Sequence, residues 1–217
     1  MSGVFVTFEG VDGSGKSTQA RMCHERLTAL GYDAVLTREP GGSPGAEEIR
    51  ALLVQGGGDR WSPETELILF NAARRDHVER TIRPALDRGA IVLCDRYVDS
   101  TRGYQGGDPE RARLIDLMHR ELIGLDPDLT ILIDLDPDLA ASRDAAGKGA
   151  ETRFESLGGS FMRGVKDRLL RIAEQDCERV HVVSGENQVS QVHDRIMALV
   201  NEVIKTSTNE PHGVHEK

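Results

Sequence analysis

The amino-acid sequence predicts a three-layer α/β/α protein, in which helices cover both faces of a five-stranded parallel sheet. Five short apolar runs rich in β-branched residues alternate with segments whose apolar residues recur at helical spacing. The runs are apolar at consecutive positions, which is typical of strands buried on both faces. With 217 residues, the chain has the length of one such domain.

The strands and helices follow from these runs in chain order. Gly31 and Gly89 stand where helices are expected to end, Pro63 suits a first helical turn, and Pro44 marks the segment that enters the second helix. The predicted strands cover residues 4–8, 34–36, 90–94, 129–133 and 180–183. The predicted helices cover residues 16–30, 64–88, 111–123, 138–145, 161–176 and 188–204.

Composition and charge argue against several classes of protein. The 36 Asp and Glu residues outnumber the 27 Lys and Arg residues, and the formal net charge of -9 argues against a general nucleic-acid binder. The apolar runs are far shorter than the roughly 18 residues of a membrane span, and no signal-like segment opens the sequence. We therefore expect a cytoplasmic protein without nucleic-acid or membrane partners, in which Cys23, Cys94 and Cys177 are buried as small apolar residues.

The strongest local signal is a glycine-rich segment between the first strand and the first helix. It matches the phosphate-loop pattern G-x-x-x-x-G-K-[ST] at every defined position. Glycines let backbone N–H groups approach phosphate oxygens, the lysine neutralises phosphate charge, and the final hydroxyl can bind Mg²⁺. The residues expected to bind a nucleoside triphosphate are Gly10, Val11, Asp12, Gly13, Ser14, Gly15, Lys16, Ser17 and Thr18.

A phosphate loop by itself is compatible with GTPases, motor ATPases and small-molecule kinases. The sequence carries no Asn/Thr-Lys-x-Asp guanine-reading motif after an apolar strand, and no long second domain that could couple hydrolysis to motion. Arginines instead occur in the segments after the strands, at the edge where open α/β sheets bind ligands. This placement predicts a second bound anion.

Four segments, taken in order, resemble the motifs of one family. "EGVDGSGKST" (9–18), "TREPGG" (37–42), "DRY" (95–97) and "YQG" (104–106) are similar to those of the bacterial thymidylate kinases, which are P-loop nucleoside monophosphate kinases. The resemblance extends from about Val4 to the final helix. It implies a P-loop NTPase fold with a mobile lid, and transfer of the γ-phosphoryl group of MgATP to dTMP, giving dTDP and ADP in dTTP biosynthesis.

The resemblance also implies the residues of the acceptor site. Arg38 and Arg96 would grip the phosphate of dTMP, since the planar guanidinium group binds phosphate oxygens in pairs. Phe70 would stack on thymine, although from the residues alone it would be interpreted as core packing. The residues implied in dTMP binding are Asp12, Arg38, Phe70, Arg74, Arg96, Thr101, Tyr104 and Gln105, the last three in a nucleoside loop.

Two acidic residues after strands are candidates for supporting the Mg²⁺ ion that accompanies ATP. A structural task at a helix start explains Asp134 adequately, whereas Asp95 adjoins Arg96 and the nucleoside loop. The expected metal-binding residues are therefore Ser17 and Asp95.

A lid is expected over residues 142–159, which contain four glycines and three cationic residues. Members of the family supply an arginine either from the phosphate loop or from the lid, and Gly13 stands at the loop position, so the lid must supply it here. Arg153 matches the lid arginine, but Thr152 replaces the usual Asp, and Arg143 and Lys148 remain alternatives. The expected catalytic residues are Lys16, Arg96, Arg153 and Asp12. Arg143 is also expected at the adenine site, with residues 184–188.

The length and the absence of repeats predict a single kinase domain over residues 1–205, and the polar end of the chain predicts a flexible tail over 206–217. The resemblance implies a homodimer that packs through helices of the kind predicted at 64–88.

Two alternative functions share the phosphate loop: a kinase for another nucleoside monophosphate or a deoxynucleoside, and a nucleotide sensor without transfer. The loop around Tyr104 argues against the first, and the arginine cluster argues against the second.

Overall fold

The computed structural model describes residues 3–56, 60–147 and 158–209. Its strands are β1 (Val4–Glu9), β2 (Ala34–Arg38), β3 (Ile91–Asp95), β4 (Leu129–Asp134) and β5 (Val180–Ser184). They form one sheet in the order β2-β3-β1-β4-β5, and every neighbouring pair is parallel. The five-stranded parallel sheet predicted from the apolar runs is confirmed.

The helices begin where local sequence favours a first turn. Pro63 stands in the first turn of its helix, and the hydroxyl of Ser62, the residue before it, accepts a hydrogen bond from the backbone N–H of Thr65. The helices are α1 (Lys16–Ala29), α2 (Pro44–Val54), α3 (Pro63–His77), α4 (Arg83–Asp87), α5 (Val98–Gln105), α6 (Pro109–Met118), α7 (Pro137–Gly147), α8 (Gly158–Gln175) and α9 (Val189–Asn209).

Alternate residues of the central strand β1 face opposite layers of helices. Val6 and Phe8 pack with residues of α1 and α9 on one face of the sheet. Phe5 packs on the other face, with residues of α3, α4 and α6. A further apolar cluster joins α8 to β4 and β5. Both faces of the sheet are therefore covered, and the predicted three-layer architecture is confirmed.

Two of the predicted helices contain π-helical turns. The helix predicted at 64–88 consists of α3, the π-helical turn Val78–Ile82 and α4. The helix predicted at 111–123 consists of α6 and the π-helical turn His119–Ile123. Apolar periodicity therefore located both elements but did not distinguish i→i+4 from i→i+5 hydrogen bonding.

The segment expected as the nucleoside loop is helical, because residues 98–105 form α5. This helix was not expected from the sequence, because it is short and mostly polar and has no clear apolar stripe. Helical spacing places Thr101, Tyr104 and Gln105 close together on α5.

At the end of the chain, α9 continues to Asn209, so residues 206–209, expected in the tail, are helical. Cys177 is exposed in the turn between α8 and β5, whereas Cys23 and Cys94 are buried as expected. Lys148, Thr152 and Arg153 lie outside the described residues, and so do residues 210–217. Within the described ranges, no helix combines the length and apolarity that a membrane span requires.

Candidate active site

A cleft of about 990 Å³ opens at the carboxyl edge of the sheet, beside the phosphate loop. In a parallel sheet all strands end at the same edge, so residues distant in sequence meet there. The predicted site residues that line the cleft are Asp12, Gly13, Ser14, Gly15, Lys16, Ser17, Thr18, Arg38, Phe70, Arg74, Asp95, Arg96, Thr101, Tyr104, Gln105 and Arg143. Gly10 and Val11 belong to the same loop.

The phosphate loop depends on glycine at defined positions. Gly10 has a φ of 143°, and a Cβ atom there would lie 2.6 Å from the carbonyl oxygen of Ile133. Gly15 precedes α1 with a φ of 99° in the left-handed region. The amino terminus of α1 is thereby directed at the cleft, where its N–H groups and dipole favour a bound phosphate.

Lys16 is held against the loop that precedes it. Only 5% of its surface is exposed, and Nζ donates a hydrogen bond to the carbonyl oxygen of Val11 at 2.7 Å. Burial, together with the nearby positive charge of Arg96, lowers the pKa of Lys16 to about 8. An anion in the cleft would stabilise the charged form of this side chain.

Asp12, Arg96 and Tyr104 form one polar cluster across the cleft. The guanidinium group of Arg96 donates a short hydrogen bond to Asp12 and lies 5.1 Å from the ring centre of Tyr104, whose hydroxyl donates to Asp12 at 3.0 Å. Burial opposes ionisation of Asp12, but Arg96 and Lys16 outweigh it and lower the pKa of Asp12. The cluster therefore keeps Asp12 ionised and the Arg96 guanidinium fixed.

Arg74 is anchored by Thr101, a predicted site residue, and by Glu39, for which no role was expected from the sequence. Its Nε donates to Glu39 at 2.7 Å, and Nη2 donates to Thr101 at 3.0 Å. Glu39 also contacts the buried His77, whose other ring nitrogen lies 2.7 Å from the hydroxyl of Thr37. Nη1 of Arg74 is buried without a hydrogen-bond partner in the described part of the chain. Glu39 lies inside the quoted "TREPGG" motif, but no sequence signal pointed to His77.

Phe70 lies on α3 one turn before Arg74 and is half-buried at the cleft wall. Leu67, on the preceding turn, is fully buried and packs in the apolar core. Gln105, from α5, donates to Glu66 at 3.0 Å and lines the same wall. The structure thus brings the aromatic ring of Phe70, the guanidinium group of Arg74 and the side-chain amide of Gln105 to one wall of the cleft.

A further arginine, Arg50 on α2, lines the cleft beside Arg38 and was not identified from the sequence. Arg38 is half exposed and forms an ion pair with Glu47 at 3.2 Å. Arg50 donates to the carbonyl oxygen of Pro40, and its pKa is lowered by burial and then by the charges of Arg38 and Arg96. Arg38, Arg50 and Arg96 thus place three guanidinium groups in one part of the cleft, which is suited to binding an anion.

Ser17 and Asp95 meet as expected, since the Ser17 hydroxyl donates to Oδ2 of Asp95. The other carboxylate oxygen of Asp95 is buried without a hydrogen-bond partner among the described residues. Asp134 instead forms an ion pair with Lys166 at 2.7 Å. Asp136, rather than Asp134, accepts backbone hydrogen bonds at the start of α7.

Arg143 connects α7 to the segment after β5, because its Nη1 donates to the carbonyl oxygen of Gly185 at 3.0 Å. Gly185, Asn187 and Gln188 line the cleft next to it. The structure therefore brings Arg143 and residues 184–188 together, as expected for one subsite.

Comparisons with known proteins agree on one family. A family model described as thymidylate kinase matches residues 8–196. The thymidylate kinase of Ruegeria pomeroyi is 50% identical over 209 residues, which cover 96% of this chain and 97% of that protein. The thymidylate kinase of Dinoroseobacter shibae is 51% identical over 197 residues, which cover 90% and 95%. A crystal structure of thymidylate kinase from Ehrlichia chaffeensis matches with a TM-score of 0.73 and 35% identity, covering 92% of this chain and 99% of that chain. The chain therefore belongs to the thymidylate kinase family.

Proposed function

We propose that this chain transfers the γ-phosphoryl group of MgATP to the phosphate of dTMP, giving ADP and dTDP. The observation that carries the proposal is the meeting of a complete phosphate loop with Arg38, Arg50 and Arg96 in one cleft. Phosphoryl transfer needs both phosphate groups held in line and their charge neutralised, and it requires little covalent chemistry from the protein. Two anion-binding regions in one cleft support this reaction.

On the donor side, the phosphate-loop N–H groups and Lys16 would bind the β- and γ-phosphates of ATP. Arg143 and the segment 184–188 would hold the adenosine end. Arg153 remains our proposed lid arginine, although it lies outside the described residues, and residues 142–159 remain the proposed lid.

On the acceptor side, Arg96 would bind the dTMP phosphate together with Arg38 and Arg50. Phe70 would stack on thymine, because it lines the cleft and is only half-buried. Arg74 would reach the base or phosphate through Nη1, which has no hydrogen-bond partner within the described ranges, while Tyr104 would pack against the deoxyribose. Thr101, Gln105 and Asp12 complete the proposed nucleoside pocket.

A Mg²⁺ ion fits the residues at the end of β3. Asp95 has one carboxylate oxygen buried without a hydrogen-bond partner in the described ranges, next to the hydroxyl of Ser17, and oxygen ligands suit this cation. Ser17 and Asp95 would hold the ion, directly or through water. When bound, it would neutralise charge on the phosphoryl group being transferred.

We also propose a homodimer. Ile68 on α3, Leu114 and Leu117 on α6, and Leu122 in the following π-helical turn expose large apolar side chains, and α3 packs against both other elements. An exposed apolar surface of this kind is typical of protein interfaces.

A cytoplasmic location belongs to the same proposal, because the proposed reaction uses ATP to supply nucleotide synthesis.

The function is tested by measuring ADP release from MgATP with dTMP, dUMP, dCMP, dGMP, AMP or thymidine offered separately, with products identified by mass. A strong preference for dTMP, with dTDP as product, is the expected result. A preference for another acceptor would retain the phosphate loop assignment and contradict the pocket around Phe70 and Tyr104. ATP binding without transfer to any of the six would favour the sensor.

A further inference from the structure

The carboxylate of Glu9 lies at the end of β1, directly before the phosphate loop, and is fully buried. Burying a carboxylate costs free energy unless its oxygens are well hydrogen-bonded, so the groups that contact it are informative.

Both oxygens of Glu9 are directed at the segment after β3, about ninety residues further along the chain. Oε1 accepts the backbone N–H of Tyr97 at 2.8 Å, and Oε2 accepts the hydroxyl of Ser100. Tyr97 precedes the first residue of α5, and Ser100 lies in its first turn. Glu9 thus supplies acceptors to the amino terminus of α5, where a negative charge also interacts favourably with the helix dipole.

The residue enclosed by these contacts is Arg96. Within the described residues, it is the one residue other than glycine with a positive φ, at 68°. An arginine adopts this left-handed conformation only where its surroundings hold it. The N–H of Arg96 bonds to Phe8 at 3.0 Å, and the next N–H along the chain, that of Tyr97, bonds to Glu9.

The same carboxylate also reaches the guanidinium group of Arg96 through one intermediate. Nη1 of Arg96 donates to the Ser100 hydroxyl oxygen at 2.9 Å, and that hydroxyl donates to Glu9. The two contacts of Glu9 therefore act on the backbone and on the side chain of Arg96.

We propose that Glu9 is a positioning residue for phosphoryl transfer, which holds Arg96 in the conformation that receives the acceptor phosphate. This inference rests on the proposed function, in which Arg96 binds that phosphate. Glu9 itself touches no substrate in the proposal. The competing interpretation is that Glu9 only stabilises the junction between β1 and α5, without a specific effect on Arg96.

The test compares Glu9→Gln, Arg96→Ala and the double variant with the unchanged protein, measuring the affinities for dTMP and for thymidine by calorimetric titration. Glutamine keeps the size of Glu9 but cannot accept from Tyr97 and Ser100 at the same time. We expect Glu9→Gln to weaken dTMP binding about tenfold, within the range found for residues sharing a hydrogen-bond network. Thymidine, which lacks the phosphate, should bind as before. The double variant should bind dTMP no more weakly than Arg96→Ala.

Asp99→Asn is the matched control. Asp99 is a nearly fully buried carboxylate on α5 that pairs with Arg102 and Arg179, so its loss should lower the melting temperature without changing the preference for dTMP over thymidine. If Glu9→Gln does not fold, Ser100→Ala cuts only the link to the guanidinium group and should give the same selective loss of dTMP affinity.

Equal losses of dTMP and thymidine affinity in the Glu9 and Ser100 variants, or fully additive effects of Glu9→Gln and Arg96→Ala, would overturn the role of Glu9. Failure of the proposed function would look different. In that case the unchanged protein would bind dTMP no better than thymidine and form no dTDP, and the premise of the inference would be lost with it.

Discussion

At the scale of single residues, Arg50 offers a direct test of the anion site. Its pKa is lowered by burial and by Arg38 and Arg96, so a bound phosphate should relieve a repulsion that is already present. We expect Arg50→Ala to raise the KM for dTMP about tenfold, the usual size of a charge-assisted hydrogen bond. Arg60→Ala is the control, because Arg60 is exposed, donates to the carbonyl oxygen of Gln55 and stacks on Trp61. Equal kinetics in the two variants would contradict the role of Arg50.

Phe70 and Leu67 allow binding to be separated from stability on one helix. Phe70→Ala removes an aromatic face from the cleft and should raise the KM for dTMP roughly fivefold to tenfold with a small loss of stability. Leu67→Ala should cost about 3 kcal/mol of unfolding free energy through a core cavity, with little change in KM. Steady-state kinetics and chemical unfolding of both variants check this. An unchanged KM for dTMP together with a large loss of unfolding free energy in Phe70→Ala would show that Phe70 is a core residue.

Glu9 should make stability depend on pH. Burial, followed by repulsion from Asp99, raises the pKa of Glu9 to about 7 from an ordinary value of 4.5, while Arg96 opposes the shift. Because the folded state holds the proton more tightly, the stability contributed by protonated Glu9 is complete below pH 4.5 and is lost as pH rises through 7. The expected loss is about 3 kcal/mol at 1.36 kcal/mol per pKa unit.

The measurement is the difference in unfolding free energy between the unchanged protein and Glu9→Gln across pH 4.5 to 8. Glutamine does not titrate, so the other ionisable groups cancel to first order in this difference. The unchanged protein should lose stability relative to the variant as pH rises. A difference that stays constant over this range would contradict the assignment.

At the scale of elements, two helix starts provide a matched pair. Asp136 accepts two backbone N–H groups at the start of α7, and Asp108 accepts two at the start of α6. Replacing either by Ala should cost about 1 kcal/mol of stability. Only α7 carries Arg143, so Asp136→Ala should also raise the KM for ATP, whereas Asp108→Ala should not. Steady-state kinetics at varied ATP concentration measure the KM for ATP in both variants. Equal KM values would remove Arg143 from the proposed adenosine subsite.

At the scale of the whole molecule, the exposed apolar residues of α3 and α6 predict the assembly. Leu117→Asp places a charge on the proposed interface, since 46% of Leu117 is exposed, and should convert a dimer into a monomer. Leu30→Asp is the control, because Leu30 is 50% exposed at the end of α1, away from this surface. Light scattering after gel filtration measures both masses. A dimer that survives in Leu117→Asp would locate the interface elsewhere.

The cleft is more positively charged than the molecule as a whole. The net charge is -9, yet the cleft collects Lys16 and several arginines around the phosphate loop. A locally positive cleft in an acidic protein favours small anions over nucleic acid. The net charge argued against a general nucleic-acid binder, and the arginines after the strands predicted a second bound anion at this edge of the sheet.

The residue pattern along the chain was sufficient to predict the parallel sheet and the phosphate loop. These features depend on neighbours in the chain: consecutive apolar residues make buried strands, and Gly10 to Ser17 form one loop whose spacing carries its chemistry. The resemblance to one family added the residues of the acceptor site, among them Phe70 and Arg74, which periodicity alone would have placed in a helix without a role.

Only the tertiary structure decided which side chains support that cleft. Glu9 meets Tyr97 and Ser100, and Glu39 meets Arg74 and His77, across long stretches of chain. Each contact arises because parallel strands end at the same edge of the sheet, where residues far apart in sequence become neighbours. Local sequence patterns do not indicate such pairings. The buried partners and their shifted pKa values can therefore be identified only when the spatial order of the strands is known.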